Sequence, residues 1–208
     1  MSGELTFYTS PMSRGRTIRW LLEELAVPYE TVLIDLMDKD DAFRAINPMM
    51  KVPTIVHNGH TVTETAAICV YLAETFPEAG LAPTAGERAD YYRWMFFAAG
   101  PFEQATLNQA LGFEVPADRQ MMVGYGSVDR VADAVELALK ANPYIAGHRF
   151  TAADVYVGAQ LGWTSGVGML PKRDVFDAYL GRVMSRPAAV RARQIDDALI
   201  AEAAQKIP

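Results

Sequence analysis

Apolar positions alternate between strand-like and helical spacing as far as Phe76, and beyond it they follow helical spacing alone. Leu5–Thr9 is a short strand-like run. After the polar stretch TSPMSRGR, Thr9–Arg16, a helix is predicted over Ser13–Leu25, with Ile18, Leu21, Leu22 and Leu25 on one face and Val27-Pro28 ending it. Tyr29–Ile34 is rich in β-branched residues, and Asp40–Ile46 reads as a short helix closed by Asn47-Pro48. Thr54–His57 and Thr61–Thr63 flank Asn58-Gly59, the dipeptide that best accepts the positive φ angles of a tight hairpin. A helix over Thr65–Phe76 stops before Pro77, so the order is βαβαββα, a mixed sheet that needs helices on its faces.

The Pro-, Gly- and Ala-rich stretch that follows has no periodicity and reads as a linker. Helical patterns then cover Ala89–Asn108, Arg119–Ala141, Thr151–Thr164, Val175–Met184 and Ala188–Ala204, with Gly100-Pro101 set to kink the first. The pattern thus predicts an α/β domain at residues 1–78, a linker at 79–87 and an all-α domain at 88–208. At FTAAD, Thr151 and Asp154 have the spacing of a capping box, with Phe150 and Val155 placed to staple the helix start.

Half the 208 residues are apolar, ample for a packed core, and the net charge of −6 argues against a general nucleic-acid binder, which needs clustered Lys and Arg. The N-terminal stretch lacks a basic region followed by an apolar one, and no segment reaches the ~20 apolar residues of a membrane span, so a cytoplasmic protein is expected. Cys69, the single cysteine, excludes an internal disulfide and stands among Ala66, Ile68, Val70 and Leu72, the setting of a small buried hydrophobe. His57, His60 and His148 lack ligand spacing, so no metal is expected.

TSPMSRGR after the first strand, NPMMKVPTIVHNG in the middle, ETAAICVYLAE at the third helix and FTAAD in the helical half stand in the order and spacing of one family. Over essentially the whole chain the sequence resembles the cytosolic glutathione transferases, and within them a bacterial, serine-type-like member. The resemblance implies a thioredoxin-like N-terminal domain, a helical C-terminal domain, glutathione as co-substrate, a small electrophile as second substrate and a homodimer.

It also implies roles for particular residues. Val52-Pro53 matches the family's cis-proline pair, whose backbone offers a free edge to the cysteinyl unit of glutathione. Glu64-Thr65, at a strand-to-helix junction, matches the grip on the γ-glutamyl end, where an acid meets the ammonium and free N–H groups and a hydroxyl meet the carboxylate. The same Thr65 also reads as a plain helix cap. Lys51 matches the cation for the glycyl carboxylate, although surface lysines are ordinarily just solvated.

A thiol with a pKa of about 8.5 is largely un-ionised at neutral pH, so such a site must favour thiolate through a donor and a helix N-terminus. TSPMSRGR supplies that donor as a hydroxyl. Aligned on the Ser-Pro and Cys-Pro loops of the family, Ser10 takes the catalytic place; anchored on the helix motif RWLL, the place drifts to Tyr8; Ser13 is a third candidate that equally suits helix capping. Arg14, Arg16 and Arg19 read as a solvated outer helix face. For the second substrate the resemblance points to Met12, Phe96, Gly100, Glu103 and Trp163, positions that more often serve packing than a cleft.

The reading is a glutathione S-transferase whose thiolate attacks an electrophilic, largely apolar substrate. Two alternatives share the fold: a glutathione-dependent isomerase, dehalogenase or ether-cleaving enzyme, and a non-catalytic ligand-carrying or interaction protein.

Overall fold

The computed structural model describes residues 4–205. Strands β1 (Leu5–Thr9), β2 (Glu30–Leu33), β3 (Thr54–His57) and β4 (His60–Thr63) form one sheet in the order β2-β1-β3-β4. β1 and β2 run parallel and are joined through α1 (Gly15–Leu25), while β3 is antiparallel to β1 and to β4. With α2 (Asp41–Ile46) between β2 and β3, and α3 (Thr65–Thr75) after β4, this is the expected thioredoxin-like βαβαββα arrangement. Leu5, Phe7 and Thr9 of β1 are buried, and the Arg19 guanidinium on α1 lies 5.3 Å from the Phe7 ring centre, so this face meets α1. Tyr8 points to the other face, where its ring stacks on Phe43 of α2 at 5.9 Å.

The chain folds as two compact units, one formed by residues up to Leu81 together with those from Arg186 onward, the other by Ala82–Ser185. The division therefore differs from the single cut expected at 79–87: α9 (Pro187–Gln205) packs on α1 in the first unit rather than joining the helical half. The physical reason lies in a residue that the sequence pattern leaves in solvent. Arg19 is buried, with 2% of its side chain exposed, and its Nε donates to Asp196 Oδ1 on α9 at 2.7 Å. A second nitrogen, Nη1, donates to Tyr29 Oη and Thr31 Oγ1, each at 3.2 Å. Around this buried pair, Arg186 takes Glu24 in a two-bond grip, Arg191 pairs with Glu23, and Arg16 pairs with Asp197 at 2.6 Å.

In the second unit α4 (Arg88–Phe97) passes through a wide π-helical turn, Ala98–Phe102, into α5 (Glu103–Ala110). That turn is the form the expected Gly100-Pro101 kink takes, since Pro101 has no N–H to continue an α-helical ladder. The helix predicted over Arg119–Ala141 is interrupted. Ala117–Met122 makes a short 3-10 turn, and α6 (Val128–Ala141) starts only after Gly124 and Gly126, with Ser127 Oγ capping the Arg130 N–H at 3.3 Å. Two glycines, one at φ 68°, suit a turn better than a helix interior.

α7 (Ala152–Gly166) begins at the expected capping box, and α8 (Asp174–Met184) follows. Asp154 accepts from the N–H groups of Thr151 at 2.9 Å and Ile145 at 2.8 Å and from the Tyr179 hydroxyl at 3.0 Å. Burial nonetheless pushes its carboxyl up to about 6. At the entrance to this unit Glu87 forks onto Arg149 and accepts from the Thr84 N–H, which together hold its carboxyl down at about 2.

Two outcomes are expected. Breaking the buried pair with Asp196→Ala will destabilise the first unit by about 3–5 kcal/mol in urea unfolding, because Arg19 is left buried and unpaired; adding Arg19→Met will restore much of the loss. A double variant no more stable than Asp196→Ala would show that the charge pair itself is not what joins α9 to α1. Because the Glu87 value in the folded chain is lowered, its stabilisation is complete above about 4.5 and is lost as pH falls from there toward about 2. Glu87→Gln will therefore flatten that part of the acid-unfolding profile, as followed by helical circular dichroism.

Candidate functional site

Strand register brings three loops of the first unit to one end of the sheet. Tyr8 of β1 stands opposite Thr54 of β3, and Thr54 stands opposite Thr63 of β4. Ser10 follows β1 at this end, Val52-Pro53 leads into β3, and Glu64-Thr65 leads out of β4 into α3. Residues far apart in sequence thus become neighbours through backbone pairing alone.

The first loop is held by short-range bonds. Ser13 Oγ donates to the Ser10 carbonyl at 2.7 Å and accepts from the Gly15 N–H at 3.0 Å, so its hydroxyl is committed to the turn that opens α1. Arg16 Nη1 donates to the Pro11 carbonyl at 3.4 Å. Gly15 packs so closely on β1 that a Cβ there would lie 1.9 Å from Thr9 Oγ1. That contact fixes how near the N-terminus of α1 comes to the end of β1. Ser10 is 8% exposed, and its hydroxyl makes no hydrogen bond among the described residues. Of the three candidate donors, Ser13 is committed to the turn. Ser10 and Tyr8 both keep their hydroxyls without a hydrogen bond among the described residues, but the Tyr8 ring stacks on Phe43 of α2, whereas Ser10 stands in the loop that leads into α1.

The second loop carries Lys51, which is exposed, and the Val52-Pro53 peptide, which is cis as the resemblance implies. Val52 makes no backbone hydrogen bond through either its N–H or its C=O among the described residues. The loop is anchored by Asn47, a residue that sequence reasoning treats only as the end of α2. Asn47 is 3% exposed; its amide donates to the Lys51 carbonyl at 2.8 Å and to Thr54 Oγ1 at 3.0 Å, and its carbonyl accepts from the Met49 N–H at 3.0 Å. The available signal was the side chain itself, since a buried amide must find partners for both ends.

At the third loop Thr65 is buried at the start of α3, and Glu64 is exposed with φ 65° and ψ 120°. A glutamate with positive φ is strained, by about 1–3 kcal/mol, and such strain concentrates at ligand sites. Its carboxylate stands one residue before the free N–H groups of α3.

The residues expected around a second substrate divide between the units. Met12 is exposed in the first loop, while Phe96 and Trp163 present large exposed apolar surfaces in the second unit, on α4 and α7. Gly100 is exposed in the π-helical turn, and Glu103 opens α5, where it accepts from Gln160 of α7 at 3.1 Å. A surface cavity of about 340 Å³ in this unit, floored by Trp94, Ile145 and Ala146, contains none of the predicted residues.

Other chemistry-bearing residues are engaged inside the fold. Cys69 is fully buried, which pushes its thiol well above the usual range. His57 is bonded through Nδ1 to Tyr71 Oη at 2.9 Å and through Nε2 to Asn58 Nδ2 at 3.3 Å. Among the described residues no group of three or more His, Cys, Asp or Glu could hold a metal ion, and no helix is long and apolar enough to cross a membrane.

Comparison with known proteins gives a consistent result. Residues 6–80 match the family described as "Glutathione S-transferase, N-terminal domain". Glutathione S-transferase F10 of Arabidopsis thaliana is 30% identical over 166 residues, covering 73% of this chain and 76% of the relative. Among solved structures, a glutathione transferase from Methylococcus capsulatus superposes with a TM-score of 0.78 at 28% identity, covering 93% of this chain and 98% of that one. A sphingomonad glutathione S-transferase in complex with glutathione superposes with a TM-score of 0.74 at 26% identity, over 92% and 98% of the two chains.

The close contact at Gly15 is testable. Gly15→Ala will lower stability by about 1–3 kcal/mol through overpacking against Thr9, and Thr9→Ala in the same chain will recover part of it. Thermal unfolding of the single and double variants reads both effects; equal losses would mean that the helix start is not seated on Thr9.

Proposed function

Because the chain belongs to the glutathione S-transferase family, we propose that it is a serine-type transferase that binds glutathione on its first unit and ionises the thiol with the Ser10 hydroxyl. The observation that carries this reading is the state of the three candidate donors: the Ser10 hydroxyl is uncommitted among the described residues, the Ser13 hydroxyl is bonded at both donor and acceptor, and Tyr8 stacks on Phe43.

In this reading the cysteinyl backbone of glutathione pairs with the open edge at Val52, beside Pro53. The γ-glutamyl ammonium meets Glu64, its carboxylate meets Thr65 and the start of α3, and the glycyl carboxylate meets Lys51. Bound this way, the thiol would lie by Ser10 at the end of β1, near the positive end of α1. The thiol gives its proton to solvent, and the Ser10 O–H donates to the sulfur left behind, which favours thiolate over thiol. The thiolate then forms a carbon–sulfur bond to an electrophilic carbon whose leaving group departs with the bonding pair, or whose conjugated system takes up the pair and later a proton. Exposed Phe96 and Trp163 support an apolar second substrate. With this reading go a cytoplasmic homodimer and the second-substrate roles of Met12, Gly100 and Glu103.

Ultraviolet absorbance of thiolate, followed while glutathione is titrated into the protein across pH, tests the assignment. Wild type will ionise bound glutathione below its free value of about 8.5, and Ser10→Ala will raise the bound value by about 1–2 units, the worth of one hydrogen bond to a charged group. Ser13→Ala will lower stability by about 1 kcal/mol and leave the thiol ionised. Equal ionisation in wild type and Ser10→Ala would remove Ser10 from the role, and failure of wild type to bind glutathione would remove the transferase reading.

A further inference from the structure

The Val52 edge is useful to a peptide ligand only if its N–H points away from the protein, and something must aim it. No β-ladder does so, because β3 starts at Thr54 and Val52 is unpaired. The preceding turn is irregular, with Met50 at φ 54°. A peptide unit is planar and, when trans, points its C=O and N–H in opposite directions. The Lys51 carbonyl and the Val52 N–H belong to one such unit, since the single cis bond in the described chain is the next one, Val52-Pro53. Whatever pulls the Lys51 carbonyl inward therefore turns the Val52 N–H outward.

Two donors pull that carbonyl. Asn47 Nδ2 reaches it at 2.8 Å and the Thr54 hydroxyl at 3.0 Å, and the two are themselves joined, Asn47 Nδ2 to Thr54 Oγ1, at 3.0 Å. Asn47 is 3% exposed and Thr54 is fully buried, so both donors are withdrawn from bulk water and depend on these partners. The other end of the Asn47 amide holds the Met49 N–H, which fixes which way the amide faces. From outside, Lys39 Nζ holds the Met50 carbonyl at 2.8 Å, so both peptide units before Val52 are clamped.

We infer that Asn47 is a positioning residue for peptide binding: acting with Thr54 through the Lys51–Val52 peptide plane, it presents the Val52 N–H to the cysteinyl carbonyl of the ligand. The inference rests on the proposed glutathione site. It assigns the aiming of the edge to a buried amide that touches no ligand atom. A residue serving stability alone would change how much protein is folded, whereas this one selectively changes the affinity for a ligand with an acceptor at the cysteinyl carbonyl.

The test uses binding alone, so that no thiol chemistry enters. Calorimetry compares S-methylglutathione with its analogue in which the Cys–Gly amide carbonyl is reduced to CH2, on wild type, Asn47→Ala and Thr54→Val, each kept well below its own unfolding temperature. Wild type will prefer the carbonyl-bearing ligand. Asn47→Ala will weaken S-methylglutathione by about 5–20-fold and the reduced analogue by less than about 2-fold, and Thr54→Val, which removes one of the two donors, will fall between. Equal weakening of both ligands would overturn the inference, as would unchanged affinity in Asn47→Ala. If Asn47→Ala does not fold, Thr54→Val carries the same comparison. Failure of wild type to bind S-methylglutathione at all is a different result, for it would remove the glutathione site on which the inference stands.

Discussion

A guanidinium group withdrawn from water must meet a carboxylate, and in this chain that requirement joins the second secondary-structure element to the last. Arg19 sits on the helix that packs against β1, and burying its charge without Asp196 would leave an uncompensated cation in the core. The pair is not fully satisfied, since Arg19 Nη2 is buried without a partner among the described residues. It is therefore better understood as a register device, which accepts α9 in one position against α1, than as a source of net stability. The surrounding pairs repeat the same alignment: Arg16–Asp197 and Arg191–Glu23 lie at more exposed positions, where each contributes little alone, while Arg186 grips the nearly buried Glu24 through two bonds.

From that anchor the geometry of the site follows in steps. α1 is seated from one side by α9 and from the other by the contact of Gly15 with Thr9. Its first turn is closed by Ser13, whose hydroxyl is spent there, while the Ser10 hydroxyl in the same loop has no partner among the described residues. The antiparallel register of β3 and β4 then brings the cis-proline loop and the strained Glu64 to the same end of the sheet. Each step relies on backbone pairing or close packing. The polar side chains of the site are left available because the framework does not use them.

Local rules recover the elements that local forces decide. The strand ending at Thr9, the Asn58-Gly59 turn and the capping box at Thr151 are set by neighbouring residues, and they fall where the pattern puts them. The cis bond at Pro53 was reached through resemblance, not through any local signal. Arg19 was illegible because its partner lies 177 positions away and a charged residue beside an apolar helical stripe ordinarily faces solvent. Asn47 was read by its neighbour Pro48 as a helix stop, which hid the buried amide behind a correct statement about the backbone. The break before α6 was legible in Gly124 and Gly126 but was outweighed by the apolar spacing on either side.

The division of the chain into units also orders events during synthesis. The second unit is one uninterrupted stretch, Ala82–Ser185, whereas the first needs residues from both sides of it. On a ribosome the strands and α1 emerge early, yet α9 follows only after the whole of the second unit has been made. Until then Arg19 lacks Asp196, and the α1 surface that α9 will cover stays open to water and to other chains. The residues of the helical unit are therefore all available to one another before the sheet-bearing unit has its full set, so the earlier-made strands wait longest for their last packing partner.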